Sequence, residues 1–549
     1  MDLLQRIRQA AENAGLHEYE LAAVDDLLAW IDVEKQPLLA AELLVRRMHL
    51  RFLTGDEFFD VAGMHRAVQL AGADPHSPQY ALAVAELADA ELWHGLPTGA
   101  ERARTAVRLA RACGADRPLT YALVADVMGQ VMRLEACDLD ELPQGVVQAD
   151  EARAAATRER DFFGFVHAAL WAGNCIDYFT SAIVHERLSR CRDELVALDA
   201  PHPYIAWLNT ATAAGLLLSG DWRGCEQLLR VALGSAPGRF ADTDTRLTAA
   251  LLACLQGRPA EARAHLGRAE ELFAEQSGFV VLTFDAVRAH LAVAAGDTDS
   301  AVAAALAGLA QDIPPTLVEW LLPLAARALA DDAQRRRDRE ADPGPAMARL
   351  HDLRQHHPHV VVDPGPGRQA RLILRAMQAL YDTETARCRQ DPGAGEAWEH
   401  AAAACHTAGL PWDEAYARWR TAQTLLPHRA DRRRAMAALR RAAELATDLN
   451  AAPLLADITA LASSARVPLV TPPVSLPTDP TPYRLTPRER EILGHVLAGR
   501  TYHEMARALV VSEKTISAHM SNMLRKTGVA NRVELSQLAH RLLRSPPGG

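Results

Sequence analysis

The chain has 549 residues and a formal net charge of −10, and 49% of its residues are hydrophobic while only 5% are aromatic. A chain of this length exceeds what one hydrophobic core can organise, so we expect several domains or an extended array of repeats. Alanine, leucine and arginine are abundant and strand-forming residues are scarce, which predicts an almost entirely α-helical fold and argues against a sheet protein.

The cysteines and the N-terminal stretch bear on the cellular compartment. The eight cysteines lie 16 or more positions apart without a CxxC pair, which predicts small buried residues rather than disulfides or zinc ligands. The stretch MDLLQRIRQAAENAG lacks the basic and then apolar layout of a signal peptide, and no apolar run is long enough to span a bilayer. We therefore expect a soluble, cytoplasmic protein that makes no membrane contact.

Helical periodicity extends from the N-terminus to about residue 465. Gly220, Gly257 and Gly296 mark three turns that are 37 and 39 residues apart, a spacing in the range of helical-hairpin repeats. After each turn, the same offsets place a small, a large and a small residue on one stripe of a helix. These stripes are Cys225, Leu229 and Ala232, then Ala262, Leu266 and Ala269, and more weakly Ala301, Ala305 and Gly308.

Two more stripes of this kind occur near the end of the helical region: Ala415, Trp419 and Ala422, and Ala435, Leu439 and Ala442. The pattern resembles degenerate tetratricopeptide-type (TPR-like) repeats, which stack into a curved array with a concave surface. A non-repetitive helical bundle is the alternative interpretation, because small-residue stripes also arise by chance in alanine-rich sequence.

Three stretches interrupt the helical pattern. Residues 331–346 and 356–369 combine proline, glycine and mixed charge and are predicted to be loops. Residues 466–484 contain six prolines in 19 positions, which predicts an extended, semi-stiff linker. The predicted domains are a helical-repeat region at 1–340, further repeats at 370–465, a proline-rich linker at 466–483 and a C-terminal domain at 484–549.

Capping patterns define the first two helices of the C-terminal domain. Thr486 is the predicted N-cap of the first helix, with Pro487 at its first position and Glu489 completing a capping box. Thr501 and Glu504 repeat this box for a second, short helix. The side chains predicted to face inward are Ile492, Leu493, Val496, Leu497, Met505, Ala506 and Leu509.

A third and a fourth helix follow at short intervals. Ser512 caps the third helix, which ends at Gly528, and Asn531 with Glu534 opens the fourth. Four short helices of which the second and third form a tight pair are typical of a helix-turn-helix domain.

The third helix combines an apolar and a polar face. Ile516, Met520, Met523 and Leu524 share the predicted inward stripe, which leaves Lys514, Ser517, Ala518, Ser521 and Arg525 facing outward. Small side chains in the middle of the outer stripe allow close approach to a major groove, and cations at its ends can contact phosphates. Residues 483–549 also carry a formal net charge of +6, whereas the rest of the chain carries −16. Such an asymmetry indicates a nucleic-acid-binding module attached to an acidic body.

The segment LTPREREILGHVLAGRTYHEMARALVVSEKTISAHMSNMLRKTGVANRVEL resembles the DNA-binding domain of the LuxR (GerE) family of bacterial transcription regulators, without gaps over residues 485–540. Its specific marks are LTPRE, SEKT, the pair His519 and Asn522, LRK and NRVE. The resemblance implies a four-helix domain whose third helix is the recognition helix. It implies DNA-binding roles for Ser512, Lys514, Thr515, Ser517, Ala518, His519, Ser521, Asn522, Arg525 and Lys526.

Within that set, the resemblance assigns phosphate contacts to Lys514, Thr515 and Lys526 and base-edge contacts to Ser517, Ala518 and Ser521. The fourth helix resembles the family's dimerisation helix, with Val533, Leu538, Ala539 and Leu542 as contacts. Some family members carry lysine at the positions of Ser517 and Ser521, so strong bidentate recognition of guanine is absent here. Specificity is then expected from hydroxyl contacts, from a thymine methyl against Ala518, or from DNA shape.

The segment upstream of the linker resembles the helical sensor region of the large ATP-binding LuxR regulators, on the stretch AWEHAAAACHTAGLPWDEAYARWRTAQ and the following AALRRAAELATDL. Those proteins begin with a nucleotide-binding domain, whereas no GxxxxGK[ST] motif occurs here. The resemblance therefore implies a regulator that lacks the N-terminal ATPase domain, and we expect no cofactor.

No other motif indicates catalysis or metal binding. HExxH and GxSxG are absent, so we expect a non-enzyme without catalytic residues. His356, His357 and His359 lie close together, but a solvated loop explains them better than a metal site. The arginine run near residue 335 is predicted to be a solvated face or loop. The tryptophans are predicted to be core residues, although a concave surface lined by some of them is where we expect an effector: Trp93, Trp171, Trp207 and Trp222.

These observations predict a transcription regulator that binds promoter DNA as a homodimer and associates with the nucleoid when bound. An effector, either a small molecule or a protein, would act on the helical body, and RNA polymerase is a possible further partner. The rival interpretation is a TPR-like interaction scaffold whose helix-turn-helix end no longer binds DNA.

Overall fold

The computed structural model describes residues 2–55, 59–132, 142–176, 182–235, 238–273, 284–310, 320–360, 368–391, 393–469, 485–497, 500–509, 511–529, 531–532, 534–535 and 538. Within these residues the chain forms 26 α-helices and no β-strand. The prediction of an all-α fold is therefore confirmed.

The chain divides into two compact units, Met1–Ile458 and Thr459–Gly549. The first ten helices are α1 (Asp2–Ala14), α2 (His17–Trp30), α3 (Pro37–Thr54), α4 (Val61–Ala71), α5 (Pro78–Trp93), α6 (Gly99–Cys113), α7 (Asp116–Met132), α8 (Leu142–Glu159), α9 (Phe162–Ile176) and α10 (Ala182–Ala197). The next seven are α11 (His202–Ser219), α12 (Trp222–Gly234), α13 (Arg239–Leu255), α14 (Pro259–Leu272), α15 (Phe284–Ala295), α16 (Thr298–Leu309) and α17 (Leu321–Asp338). The last nine are α18 (Gly344–His356), α19 (Arg368–Arg389), α20 (Ala394–Thr407), α21 (Pro411–Leu425), α22 (Arg432–Asp448), α23 (Ala452–Ala465), α24 (Pro487–Leu497), α25 (Tyr502–Leu509) and α26 (Glu513–Thr527).

The helices of the first unit, here called the body, follow one packing rule. From α1 to α22, each helix packs against the next one along the chain. The odd-numbered helices from α3 to α19 also contact one another in succession. In a curved array the helices on the concave side lie closest together, so the odd-numbered helices form the inner row.

The curvature of the body brings distant helices together. Helix α3 packs against α13, and α11 packs against α21. Both contacts join helices that are ten positions apart, so the array completes a turn about every ten helices. The first turn runs from α3 to α13, and the second runs from α11 to α21.

The predicted turns and small-residue stripes are present in the body. Gly220, Gly257 and Gly296 have φ values of 90°, 81° and 71°, a left-handed conformation that favours glycine. At Gly220 a Cβ would also collide with the ring of Pro411 at the start of α21, so the glycine permits the contact between α11 and α21. Every residue of the five predicted stripes is buried. The small members of the stripes therefore serve close helix packing, as the sequence pattern predicts.

The predicted loop at 331–346 is wrong over its first half. Helix α17 continues to Asp338, and α18 begins at Gly344. The arginines of this stretch hold the end of α17 in place: Arg335 donates to Thr298 Oγ1 at 2.8 Å, and Arg337 donates to the backbone oxygen of Cys388 at 2.5 Å. The arginine run is thus a helical end bonded to other helices rather than a solvated loop.

Aromatic side chains fill the interior of the first turn. Phe52 lies 4.5 Å from Phe240 and 5.9 Å from Trp207, and Phe163 lies 4.3 Å from His167, measured between ring centroids. Trp93, Trp171 and Trp207 are all buried, which confirms their prediction as core residues. Trp222 is buried too, and its Nε1 donates to the backbone oxygen of Leu217 at 2.9 Å.

Six cysteines whose side chains the structure describes have free thiols: Cys113, Cys191, Cys225, Cys254, Cys388 and Cys405. Cys137 and most of the predicted linker, from residue 470 onward, lie outside the described residues. Among the described helices, none combines the length and the apolar character that crossing a bilayer requires.

Candidate nucleic-acid interface

Helices α24, α25 and α26 share one hydrophobic core. It contains Ile492, Leu493, Val496, Met505, Ala506, Ile516, Met520 and Met523, with Leu497, Leu509 and Leu524 partly buried against it. These are the side chains that the sequence pattern predicts to face inward on the three helices. The inward stripe of each helix is therefore confirmed, and the opposite face of α26 is left to solvent.

Both predicted capping boxes are formed. Thr486 N donates to Glu489 Oε2 at 2.7 Å, and Glu489 N donates to Thr486 Oγ1 at 3.2 Å. Thr501 N donates to Glu504 Oε2 at 2.7 Å, and Glu504 N donates to Thr501 Oγ1 at 3.3 Å. Each box satisfies two backbone donors that the first turn of a helix leaves unpaired, so local sequence fixes where α24 and α25 begin.

The turn between α25 and α26 sets the orientation of α26. Val511 N donates to the backbone oxygen of Ala506 at 3.0 Å, which closes the end of α25. Ser512 then caps α26 by accepting from Thr515 N at 3.1 Å. The side chain of His503 on α25 pairs with Glu513 on α26 at 2.8 Å. This short connection, held by the Ser512 cap and by the His503–Glu513 pair, matches the tight helix pair of a helix-turn-helix.

The outward stripe of α26 lies where the sequence predicts it. Lys514, Ser517, Ala518, Ser521 and Arg525 are all exposed, whereas Ile516, Met520 and Met523 are fully buried. In the described part of the chain, neither Lys514 nor Arg525 forms a salt bridge with a carboxylate. The stripe thus offers small polar side chains in its middle and an uncompensated cation at each end.

The remaining predicted DNA-binding residues surround this stripe. Ser512 and Asn522 are exposed, while Thr515 and His519 are half-buried. The Ser521 hydroxyl donates to the backbone oxygen of Ser517 at 3.0 Å. Its hydroxyl oxygen therefore remains available as an acceptor, and its proton is engaged within the helix.

Lys526 differs from the other cations of α26, because its charge is used inside the domain. Its Nζ donates to Glu489 Oε2 at 2.6 Å, and the Lys526 side chain is 30% exposed. Burial raises the pKa of Glu489, but hydrogen bonds from Lys526 and from Thr486 outweigh burial and lower this pKa below its ordinary value of 4.5. The resemblance to the LuxR family implies a phosphate contact for Lys526, whereas the structure pairs it with Glu489, which joins α26 to the cap of α24.

Only the beginning of the predicted fourth helix is described. Asn531 Oδ1 accepts from Glu534 N at 3.0 Å, which is the predicted cap. Leu535 is buried in the core of the domain, a role that the sequence analysis missed although it lies within the motif NRVEL. Leu538 is half-buried, and the other predicted dimerisation residues lie outside the described residues: Val533, Ala539 and Leu542.

No group of three or more histidine, cysteine or carboxylate side chains able to hold a metal ion occurs in the part of the chain that the structure describes. His356 and His359 are exposed, and His356 Nδ1 lies 2.9 Å from the backbone oxygen of Asp352.

Three helices with this core, this short turn and this exposed third helix constitute a helix-turn-helix domain. Residues 483–539 match the family described as bacterial regulatory proteins, luxR family (GerE). The C-terminal end of the chain is therefore a LuxR-family domain, which confirms the resemblance.

Curated proteins with similar sequence are transcription regulators. The chain is 42% identical over 57 residues to the uncharacterized transcriptional regulatory protein YhcZ of Bacillus subtilis, and this match covers 10% of this chain and 27% of that protein. It is 49% identical over 47 residues to the transcriptional activator protein CarR of Pectobacterium carotovorum, and this match covers 9% of this chain and 19% of that protein. It is 40% identical over 60 residues to the CsgBAC operon transcriptional regulatory protein of Escherichia coli, and this match covers 11% of this chain and 28% of that protein. The chain thus spans about a quarter of the length of these relatives.

Proposed function

We propose that this chain is a transcription regulator that binds promoter DNA through the outward face of α26. The observation that carries the proposal is the exposed stripe of small polar residues between two uncompensated cations, on a helix whose other face is buried. A surface helix that served solubility alone would pair its cations with carboxylates three or four residues away. The relatives' names support the same function, since each is a transcription regulator or activator.

The proposed contacts follow from the position of each side chain. Lys514 and Arg525 would hold phosphates on either side of the major groove, while Ser517 and Ala518 approach the base edges. Ser521 would accept rather than donate, because its proton is bound to the Ser517 carbonyl. The other members of the proposed interface are Ser512, Thr515, His519, Asn522 and Lys526.

We propose that the regulator acts as a homodimer on DNA through its fourth helix, with Leu538 as the described member of the contact. Two weakly binding domains held together gain affinity because the second binds at a high effective concentration. RNA polymerase is a further proposed partner, and the body at residues 1–465 is proposed to receive the effector. The proline-rich linker at 466–483 would set the reach of the domain at 484–549.

The test is a binding experiment with the purified full-length chain. Promoter fragments and random DNA of equal length are titrated at several salt concentrations by fluorescence anisotropy. A regulator should prefer some promoter fragments, and its affinity should fall steeply as salt increases, because phosphate contacts release counterions. A scaffold with a non-functional helix-turn-helix would bind neither kind of DNA even at low salt.

A matched pair of variants locates the interface. Ala518→Trp puts a bulky ring in the middle of the exposed stripe and should abolish docking or change the preferred site. Ala508→Trp places the same ring on an exposed position of α25, away from the stripe, and should bind as the unchanged protein does. Equal binding by both variants would contradict the assignment of this face to DNA.

A further inference from the structure

The second turn of the body contains a cavity of about 100 Å³ that is partly open to solvent. Its walls come from the odd-numbered helices α11 to α21 and from Trp222 at the start of α12. Because these helices form the inner row of the array, the cavity lies on the concave side of the second turn. An apolar cavity of about 150 Å³ can bind benzene, so a space of this size that also opens to solvent suits a small ring compound.

The cavity is not a general consequence of the curved fold. In the first turn, the inner row fills the same position with rings, such as Phe52, Phe163, Trp207 and Phe240. In the second turn, aromatic and aliphatic side chains line open space instead. The aromatic members of this lining are Trp222, Trp320, Trp412 and Tyr416.

Two carboxylates beside the cavity are already paired with other groups. Glu384 accepts a hydrogen bond from Arg387 Nε at 2.7 Å and another from the Tyr416 hydroxyl. Asp331 accepts from Arg387 at 2.8 Å and from Arg420 at 2.9 Å. Arg387 and Arg420 thereby balance the two carboxylates.

Arg327 is the third arginine of this group and faces the cavity. Its guanidinium carbon lies 4.3 Å from the ring centroid of Tyr416 and 5.6 Å from that of Trp412. Its Nε has no hydrogen-bond acceptor among the described residues, and the nearest carboxylate oxygen, of Asp331, lies 3.9 Å away. The indole Nε1 of Trp320 also lacks an acceptor there. Among the described residues, Arg327 Nε and Trp320 Nε1 thus have no hydrogen-bond acceptor, and Arg327 has its nearest carboxylate oxygen 3.9 Å away.

Burial reduces the charge that two other ionisable groups of the cavity wall carry. Burial raises the pKa of Asp413 to about 7, so its carboxyl group takes up a proton readily. Burial lowers the pKa of His290 to about 3, which keeps its imidazole neutral. Glu384 is bound by Arg387 and by the Tyr416 hydroxyl, so Arg327 is the cation that faces the cavity.

From this geometry we infer that the cavity binds a small carboxylic acid with a flat, apolar body, whose carboxylate pairs with Arg327. A carboxylate forms two charge-assisted hydrogen bonds with a guanidinium group, and desolvation in an apolar cavity strengthens them. The apolar body of the ligand would pack against the tryptophans and leucines of the wall. A cationic ligand fits poorly, because Arg327 already occupies the faces of Tyr416 and Trp412.

Binding of a ligand in the cavity does not depend on DNA binding. A role of that ligand as an effector rests on the proposed function. The test therefore measures ligand binding directly on the full-length chain without DNA. Three probes share an indole ring with a two-carbon side chain that ends in an anionic, a neutral or a cationic group: indole-3-acetate, indole-3-acetamide and tryptamine. Calorimetry should give binding of indole-3-acetate, affinity at least about tenfold lower for the amide, and no binding of tryptamine.

Variants of the lining separate a specific site from weak surface binding. Arg327→Gln should remove the preference for the carboxylate over the amide, a change of about tenfold. Arg336→Gln on the same helix, whose arginine pairs with Asp332 at 2.8 Å, should keep that preference. Leu324→Trp fills the cavity and should abolish binding, and circular dichroism and the melting temperature report whether each variant is folded.

Several results would overturn the inference. One is a preserved preference for the carboxylate in Arg327→Gln; another is tryptamine binding as tightly as indole-3-acetate. A third is that neither indole-3-acetate nor the smaller benzoate and phenylacetate binds with a Kd below about 1 mM. If the carboxylates bind but leave DNA affinity unchanged, the site stands and its role in control is refuted. Loss of DNA binding in the unchanged protein would instead refute the proposed function.

Discussion

The body and the C-terminal domain use their cations in opposite ways. In the body, the buried Arg46 points inward and donates two hydrogen bonds to Glu20, at 2.6 and 2.7 Å. In the C-terminal domain, Lys514 and Arg525 point outward from α26 and have no carboxylate partner among the described residues. A paired buried cation holds helices together, whereas an unpaired exposed cation is available to an external anion.

Two residues depart from the pattern of their own region, and both are informative. Lys526 belongs to the recognition helix but is paired inside the domain with Glu489. Arg327 belongs to the body but faces a cavity without a close carboxylate. The partner of a cation, rather than the region in which it lies, therefore indicates its role, and substitutions can test this rule.

The largest effect is expected for Arg46→Met in the body. The side chains of Arg46 and Glu20 are 5% and 0% exposed, so the substitution removes two hydrogen bonds from a buried carboxylate whose other cation, Arg8, lies 3.8 Å away. The free energy of unfolding should fall by about 3–5 kcal/mol, as measured by urea denaturation of the full chain. Adding Glu20→Leu should recover most of this loss. The control Lys35→Met removes an exposed pair with Asp32 and should leave stability nearly unchanged.

A loss of stability that depends on pH is expected from a buried carboxylate that forms no ion pair. Asp244 on α13 is buried, and its Oδ1 has no hydrogen-bond partner among the described residues. Burial raises its pKa from the ordinary 3.8 to about 7. Between these two values the folded state keeps a proton that the unfolded state releases, so stability should fall as pH rises, by up to about 1.4 kcal/mol per pH unit.

Asp244→Asn removes that proton and should flatten this part of the pH profile of unfolding. The variant should be more stable than the unchanged protein at pH 8 and similar to it at pH 4, because only the charged aspartate is penalised by burial. Parallel pH profiles for the two proteins would show that Asp244 is not a source of pH dependence.

A smaller effect on stability is expected for Lys526→Ala. The substitution removes a partly exposed ion pair with a capping carboxylate, so the C-terminal domain should lose about 1 kcal/mol. The double-mutant cycle with Glu489→Gln isolates the contribution of the pair. Because the pair holds the pKa of Glu489 below 4.5, its contribution is present above that pH and lost as pH falls through the folded value. A coupling that persists in acid would contradict this account.

The smallest effect on stability, and a clear effect on binding, is expected for Lys514→Ala. Its side chain is exposed and unpaired, so unfolding should change by less than about 0.5 kcal/mol. DNA affinity should fall by a similar factor for all sequences, and the slope of affinity against salt should decrease by about one counterion. Lys35→Ala serves as the lysine control and should leave the DNA affinity and its dependence on salt unchanged. Unchanged DNA affinity in Lys514→Ala would contradict the phosphate contact.

The C-terminal domain is predictable from sequence because its determinants are local. Each capping box joins residues three positions apart, and the two faces of α26 follow from a repeat of three or four residues. The buried stripes of the body are predictable for the same reason, and Gly220 marks its turn through its own left-handed backbone.

The extent of α17 could not be predicted in this way. Residues 331–338 carry a run of charge that is typical of a loop, yet they are helical in the structure. Arg337 reaches the Cys388 backbone oxygen, 51 positions along the chain, and Arg335 reaches Thr298, 37 positions away. These contacts stabilise the last turn of the helix, and their existence depends on the packing of other helices.

The sequence by itself therefore determined the all-α fold, the LuxR-family domain, the helix boundaries set by caps and the inward and outward faces of α26, because each depends on residues within a few positions. The tertiary structure alone decided that Lys526 pairs with Glu489, that Arg327 faces a cavity and that the first turn is filled while the second is open. Those features depend on distances between side chains far apart in the chain. Periodicity identifies which face of a helix is buried but not which group it will meet there.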